Sequence, residues 1–113
     1  MNVTPQFLVI TEKSTGEELR LDFLRLKKAA TILRALNHKL RQLLVKLIDE
    51  NQKITVTEIY VNLRLEQSVV SQHLAILRRA GIVLTQREGK FIFYSLNYKR
   101  LKEINNFIEQ LVS

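Results

Sequence analysis

Between Gln67 and Val83 the chain reads QSVVSQHLAILRRAGIV, an apolar segment carrying Gln67, Ser68, Ser71 and Gln72 early and Arg78 and Arg79 late. Hydroxyl and carboxamide groups both donate and accept hydrogen bonds. Gathered on one side of a helix, they suit the donor and acceptor edges that base pairs display in the DNA major groove. The short serines would let the backbone approach. The two arginines suit phosphates, which set register but carry no sequence information. A helical wheel over residues 68–80 puts Val70, Leu74, Leu77 and Gly81 on an inward stripe and leaves Ser68, Ser71, Gln72, Ala75, Arg78 and Arg79 opposite. A plain amphipathic helix would also have a polar side. Serine is a mediocre helix former, so two serines beside a glutamine fit recognition better than idle surface.

Such a helix has to be held. Upstream, Thr55 with Glu58 three residues later forms a capping-box signature, and the short helix that follows would bury Ile59 and Leu63. Arg64-Leu65-Glu66 is then a turn, and the two helices make a helix-turn-helix. Gly81 sits where a C′ glycine ends a helix. After it, IVLTQRE and KFIFYSL are strand-like runs joined around Glu88-Gly89-Lys90, a hairpin with Gly89 supplying a positive φ. Arg87 and Lys90 flank its tip, where they would reach a phosphate or a neighbouring groove. The expected fold is mainly α with a small β-hairpin wing, a winged helix-turn-helix.

Further upstream, Asn37 is a candidate cap for a helix carrying Leu40, Leu43, Leu44, Leu47 and Ile48 on one side. A helix is expected from Phe23 to Leu36. Residues 7–22 have two readings. Leu19, Phe23, Leu26, Ala30 and Leu33 recur at helical spacing, with Ser14 or Thr15 as cap. Equally, Phe7, Val9 and Thr11 alternate, EELRLDF alternates, and KSTGE would turn between them, an additional N-terminal β-hairpin with Asp22 capping the next helix. Residues 1–22 are thus an extension, as hairpin or helix start, ahead of a winged-helix domain over 23–113.

The totals agree with a small nucleic-acid-directed domain. The 113 residues include 18 Lys and Arg against 11 Asp and Glu, a formal charge of +7. Such an excess favours polyanions: nucleic acid or an acidic membrane surface. The basic residues concentrate in 20–46 and 64–100, which suggests a charged face. No cysteine is present, which excludes disulfides, thiolate metal sites and thiol catalysis. The start, MNVTPQFLVITEK, lacks the marks of a signal peptide. No apolar run approaches the roughly 20 residues of a membrane helix, so a cytoplasmic protein without a membrane partner is expected.

VSQHLAILRRAGIV followed by REGKFIFYSL resembles the ArsR-type winged-helix repressors of bacteria and archaea. The resemblance covers Ala35 to Leu96 and rests on Ser71, His73, Leu74, Leu77, Ala80, Gly81, Val83, Arg87, Gly89 and Tyr94 at these spacings. It implies a homodimer that binds double-stranded operator DNA and changes its grip when a signal arrives. The family's second helix usually opens with an Asp-Pro-Thr/Ser-Arg run, where this chain has NHKLRQLL. Leu26, Ala30 and Leu33 near the start and Leu101, Ile104, Ile108 and Leu111 at the end form apolar seams. Each seam suits either packing within one chain or a shared interface. The resemblance implies that they build the dimer.

Many members of that family sense metals, one class through a Cys-Val-Cys run on the third helix. The matching TVTEIYVNL has no thiol. Another class uses carboxylates and histidines of the last helix, which here holds Glu103 and Glu109 and no histidine. His38 and His73 lie in separate elements, and zinc needs three or four converging ligands. No metal or other cofactor is expected. His73 reads as a partly buried structural histidine, with direct DNA contact as the alternative. Tyr60, Tyr94 and Tyr98 read as packing residues with solvated hydroxyls. No nucleophile stands beside a histidine and no glycine-rich phosphate loop occurs, so no enzyme is expected.

The expected function is a sequence-specific DNA-binding regulator, a homodimeric repressor without a metal site. Gln67, Ser68, Ser71 and Gln72 would read bases; Arg78, Arg79, Arg87 and Lys90 would hold phosphates. The alternative is a winged helix used as a protein-interaction module. The N-terminal segment would suit a site for a partner or signal, but the sequence names neither, nor the operator.

Overall fold

A computed structural model describes residues 6–113. The order is β1 (Phe7–Thr11), β2 (Glu18–Asp22), α1 (Phe23–Leu36), α2 (Lys39–Asn51), β3 (Ile54–Thr55), α3 (Val56–Leu63), α4 (Gln67–Arg79), β4 (Val83–Glu88), β5 (Phe91–Leu96) and α5 (Tyr98–Val112). Two compact units result, with the boundary inside α1 between Ile32 and Leu33.

The first unit settles residues 7–22 as a hairpin. β1 and β2 pair antiparallel, with Phe7 opposite Asp22, Leu8 opposite Leu21, Val9 opposite Arg20, Ile10 opposite Leu19 and Thr11 opposite Glu18. Gly16 takes φ +77 in the connecting turn, where glycine avoids the Cβ clash. Asp22 decides the outcome. Its Oδ1 accepts the Leu24 and Arg25 amides at 3.0 and 3.2 Å and starts α1, whereas in the helical reading it would sit mid-helix. Thr15 caps no helix; its Oγ1 accepts the Glu17 amide inside the turn at 3.1 Å.

The second unit carries the winged helix-turn-helix. Its core joins Leu44 and Ile48 of α2, Ile54 of β3, Ile59 of α3, Val70, Leu74 and Leu77 of α4, then Ile82, Val83, Leu96 and Ile104. Two details of α2 differ from expectation. The cap is His38 rather than Asn37, with Nδ1 accepting the Leu40 amide at 3.1 Å. The buried residues are Arg41, Leu44 and Ile48, while Leu43 stays 49 % exposed. The helix is turned to bring Arg41 inward, where its guanidinium has partners.

Thr55 begins α3 as expected: its Oγ1 accepts the Glu58 amide at 3.2 Å, and its hydroxyl lies 3.1 Å from the Glu58 carboxylate. Arg64, at φ 54, closes α3 through bonds from its amide to the Tyr60 and Val61 carbonyls, and α4 starts three residues later. The second sheet has the order β3-β5-β4, all antiparallel, with Ile54 opposite Tyr94 and Val83 opposite Leu96.

Candidate nucleic-acid interface

α4 places its polar residues outward. Val70, Leu74 and Leu77 are fully buried, so the helix has a fixed rotation about its axis. With that rotation Gln67, Ser68, Ser71, Gln72, Arg78 and Arg79 are all exposed. No side chain caps the helix at Glu66. Gly81, at φ +75, ends it as a C′ residue, and its amide bonds the Arg78 carbonyl at 2.9 Å.

The wing is a hairpin of two six-residue strands closed by Gly89 and Lys90 between Glu88 and Phe91. Gly89 has φ +63 and Lys90 has no positive φ, the pattern of a type II′ turn. Opposed residues of an antiparallel pair share a face. Val83, Thr85 and Arg87 therefore lie with Leu96, Tyr94 and Ile92. Val83 and Leu96 are buried in the core, and Tyr94 lines an open concavity of about 420 Å³ with Ser71, Leu74, Ala75, Arg78 and Arg79 of α4. Arg87 thus belongs to the wing face that turns toward α4. Its Nε donates to the Gly89 carbonyl at 3.2 Å, which ties the guanidinium to the tip. Lys90 sits in the turn itself and is exposed.

The other wing face is anchored from behind. Lys53 lies 2.6 Å from the Glu88 carboxylate, and its ammonium stands 4.7 Å over the Phe93 ring. Thr55 pairs with Phe93 in the same sheet. The wing is therefore braced against the segment that opens α3.

A second cluster supports α4 from beneath. Arg41 is 8 % exposed and has three partners: Nε to the Ala35 carbonyl at 2.6 Å, Nη2 to the Arg34 carbonyl at 3.1 Å, and Nη1 with His73 Nδ1 at 3.1 Å. The carbonyls belong to the last turn of α1, where the helix dipole is negative and a cation is favoured. His73 is pushed below the ordinary histidine range, first by burial, then by the neighbouring His38 and Arg41. The shift favours the neutral ring, the form whose Nδ1 can accept from Arg41. The structural role expected for His73 fits this geometry.

The two histidines, expected apart, come together with ring centroids 4.8 Å apart. Both Nδ1 atoms are engaged, one by the Leu40 amide and one by Arg41. Among the described residues, no group of three or more His, Cys, Asp or Glu is placed to hold a metal.

Two features here are not legible from residue type. Arg41 looks like surface charge in the sequence, and only its spacing of three and seven before Leu44 and Ile48 hints otherwise. Tyr94, expected as a packing residue, shares the concavity with the cationic end of α4. Among the seam residues, Ile104 is 6 % exposed within its own chain, whereas Leu26, Ile108 and Leu111 are 59, 40 and 67 % exposed.

A helix-turn-helix with an outward polar second helix, and a short cationic wing on the same face, defines the winged-helix class of DNA-binding regulators. Residues 38–85 match the family described as "Bacterial regulatory protein, arsR family". An HTH-type transcriptional regulator of Methanocaldococcus jannaschii is 38 % identical over 85 residues, 75 % of this chain and 96 % of that one. The transcriptional activator HlyU of Vibrio cholerae is 38 % identical over 85 residues, 74 % of this chain and 77 % of that one. The crystal structure of the transcriptional repressor PagR of Bacillus anthracis superposes with TM-score 0.61 at 30 % identity, covering 80 % of this chain and 99 % of that one. The chain belongs to the arsR family. It is a DNA-binding transcriptional regulator, and its relatives are regulators rather than enzymes. Among the described residues no helix is long and apolar enough to cross a membrane.

Proposed function

We propose that the chain is a cytoplasmic homodimeric repressor that reads a palindromic operator and answers a signal other than a bound metal. Gln67, Ser68, Ser71 and Gln72 contact base edges. Arg78, Arg79, Arg87 and Lys90 hold the phosphates on either side. The observation that carries this reading is the exposed polar side of α4 with cations at its far end and at the wing tip. Relatives bear the names of both activators and repressors, and repression needs no more than occupancy of a promoter.

The dimer is supported by apolar side chains left in solvent: Leu26 in α1, and Phe107, Ile108, Leu111 and Val112 in α5, the last two 67 and 76 % exposed. A two-fold dimer sets its recognition helices about 34 Å apart and reads half-sites one turn of DNA apart. A signal other than a metal fits the absence of cysteine and the occupied Nδ1 atoms of both histidines.

Selection of bound fragments from random duplex DNA by the purified protein is the test. The enriched sequence is expected to be an inverted repeat with half-site centres about 10 base pairs apart. Ser71→Ala with Gln72→Ala should reduce preference for that sequence over random DNA by about 1–3 kcal/mol for each bidentate hydrogen-bond pair removed. No enrichment at modest salt overturns the reading.

A further inference from the structure

The N-terminal hairpin is a surface in search of a partner. Its register sorts the side chains into two unlike faces. Leu8 with Leu21 and Ile10 with Leu19 form one face made only of aliphatic groups. Phe7, Val9 and Thr11 with Asp22, Arg20 and Glu18 form the other, where the Arg20 guanidinium stands 4.6 Å over the Phe7 ring. The aliphatic face is the side expected inside. Yet its four residues are 43, 45, 50 and 48 % exposed in the order Leu8, Ile10, Leu19, Leu21. Among the described residues this sheet has only these two strands, so neither outer edge pairs with a third. An isolated two-stranded hairpin is marginal in water at best and needs its apolar face covered to persist.

Charge selects what covers it. Residues 6–22 hold Glu12, Glu17, Glu18 and Asp22 against Lys13 and Arg20, a net charge of −2. DNA and anionic membranes are disfavoured by that sign. Residues 33–113 hold 13 Lys and Arg against 7 Asp and Glu, a net charge of +6. A second copy of this chain therefore brings an excess of positive charge to an acidic hairpin. It brings its own exposed leucines, and two-fold symmetry repeats the contact on both protomers.

We infer that the Leu8, Ile10, Leu19 and Leu21 face of the hairpin docks on a second copy of the chain and adds to the dimer contact. This rests on the proposed homodimer but not on DNA binding. Four half-exposed aliphatic side chains fall well short of the roughly 800 Å² per partner of a stable interface. The hairpin therefore strengthens a contact made elsewhere rather than creating one alone.

The cysteine-free sequence gives a clean test with the full chain. Leu19→Cys puts one thiol in the aliphatic face, and Arg20→Cys puts one on the opposite face. The rate at which a soluble aromatic disulfide modifies each thiol is measured over a wide range of protein concentration, with circular dichroism confirming helix content. The expected result is a Leu19→Cys rate at least tenfold below that of Arg20→Cys at high concentration, rising toward it on dilution. Equal rates at every concentration mean an open face and overturn the inference. Protection that ignores concentration means the face is covered by its own chain and overturns it too. As a second variant, Leu19→Ser with Leu21→Ser should raise the dimer dissociation constant about tenfold or more in sedimentation equilibrium; an unchanged constant also overturns it. A wild-type chain that dimerises without binding DNA would refute the operator reading and leave this one standing.

Discussion

Replacing Arg41 with methionine isolates what one buried cation contributes. The thioether chain fills the space of the aliphatic stem, so the change removes the guanidinium and little else. Three hydrogen bonds go with it: those to the Ala35 and Arg34 carbonyls and to His73 Nδ1. Hydrogen bonds to a charged group contribute about 1.5–3 kcal/mol each, so the gross loss is roughly 5–9 kcal/mol. Against this, a cation that is 8 % exposed no longer has to be desolvated, which returns several kcal/mol. The acceptors left behind keep part of the penalty, because they face a thioether that cannot donate. The net expectation is a loss of about 3 kcal/mol, a large part of the roughly 5–15 kcal/mol that holds a domain folded. Urea unfolding of wild type and Arg41→Met, extrapolated with a common m-value, reads the difference directly. Adding His73→Ala completes a cycle whose coupling is expected within about 0.5–3 kcal/mol. If Arg41→Met unfolds within about 0.5 kcal/mol of wild type, the claim that this guanidinium joins α1, α2 and α4 is wrong.

Other expectations follow from the same geometry. Because burial, His38 and Arg41 depress His73, the unfolded chain takes up its proton first as pH falls below about 6.5; stability is full above that value and declines until the folded histidine also protonates. Urea midpoints between pH 8 and pH 5 should show this decline in wild type and a flatter profile in His73→Gln. Arg87→Gln should weaken binding to operator and random duplexes alike and reduce the log–log salt slope by about 0.9; an unchanged slope would remove the wing from the interface. Gly89→Ala meets nothing within 4 Å but must hold φ +63, so it should cost only the left-handed strain of about 1–2 kcal/mol, seen as a lower Tm. Gly81→Ala adds to that strain a Cβ 3.2 Å from Arg100 Nε, a flexible group that can move, so its loss should be equal or slightly larger.

Periodicity makes much of this fold readable without coordinates. The 3.6-residue repeat of Val70, Leu74 and Leu77 sets the rotation of α4, and with it the exposed side of Ser71 and Gln72. Thr55, Gly81 and Gly89 act locally, so their caps and turns can be read from a few neighbours. Residues 7–22 are ambiguous because Leu19 and Phe23 fit both a period of two and a step of four. Asp22 resolves it by capping at a point a longer helix would have run through. Arg41 is illegible for a different reason. Its burial depends on carbonyls six and seven residues away and on His73, 32 residues away, and no local pattern records such a meeting. The meeting of His38 with His73, and of Tyr94 with the end of α4, belongs to the same kind of long-range arrangement.

The pairing of β3 with the inner strand of the wing has a mechanical result. Thr55 lies opposite Phe93 and at the same time caps α3, while Lys53 grips Glu88 near the tip. The wing and the first helix of the helix-turn-helix are thus fastened to one short stretch, Lys53 to Thr55. A change in that stretch is therefore felt at the wing and at the start of α3 together.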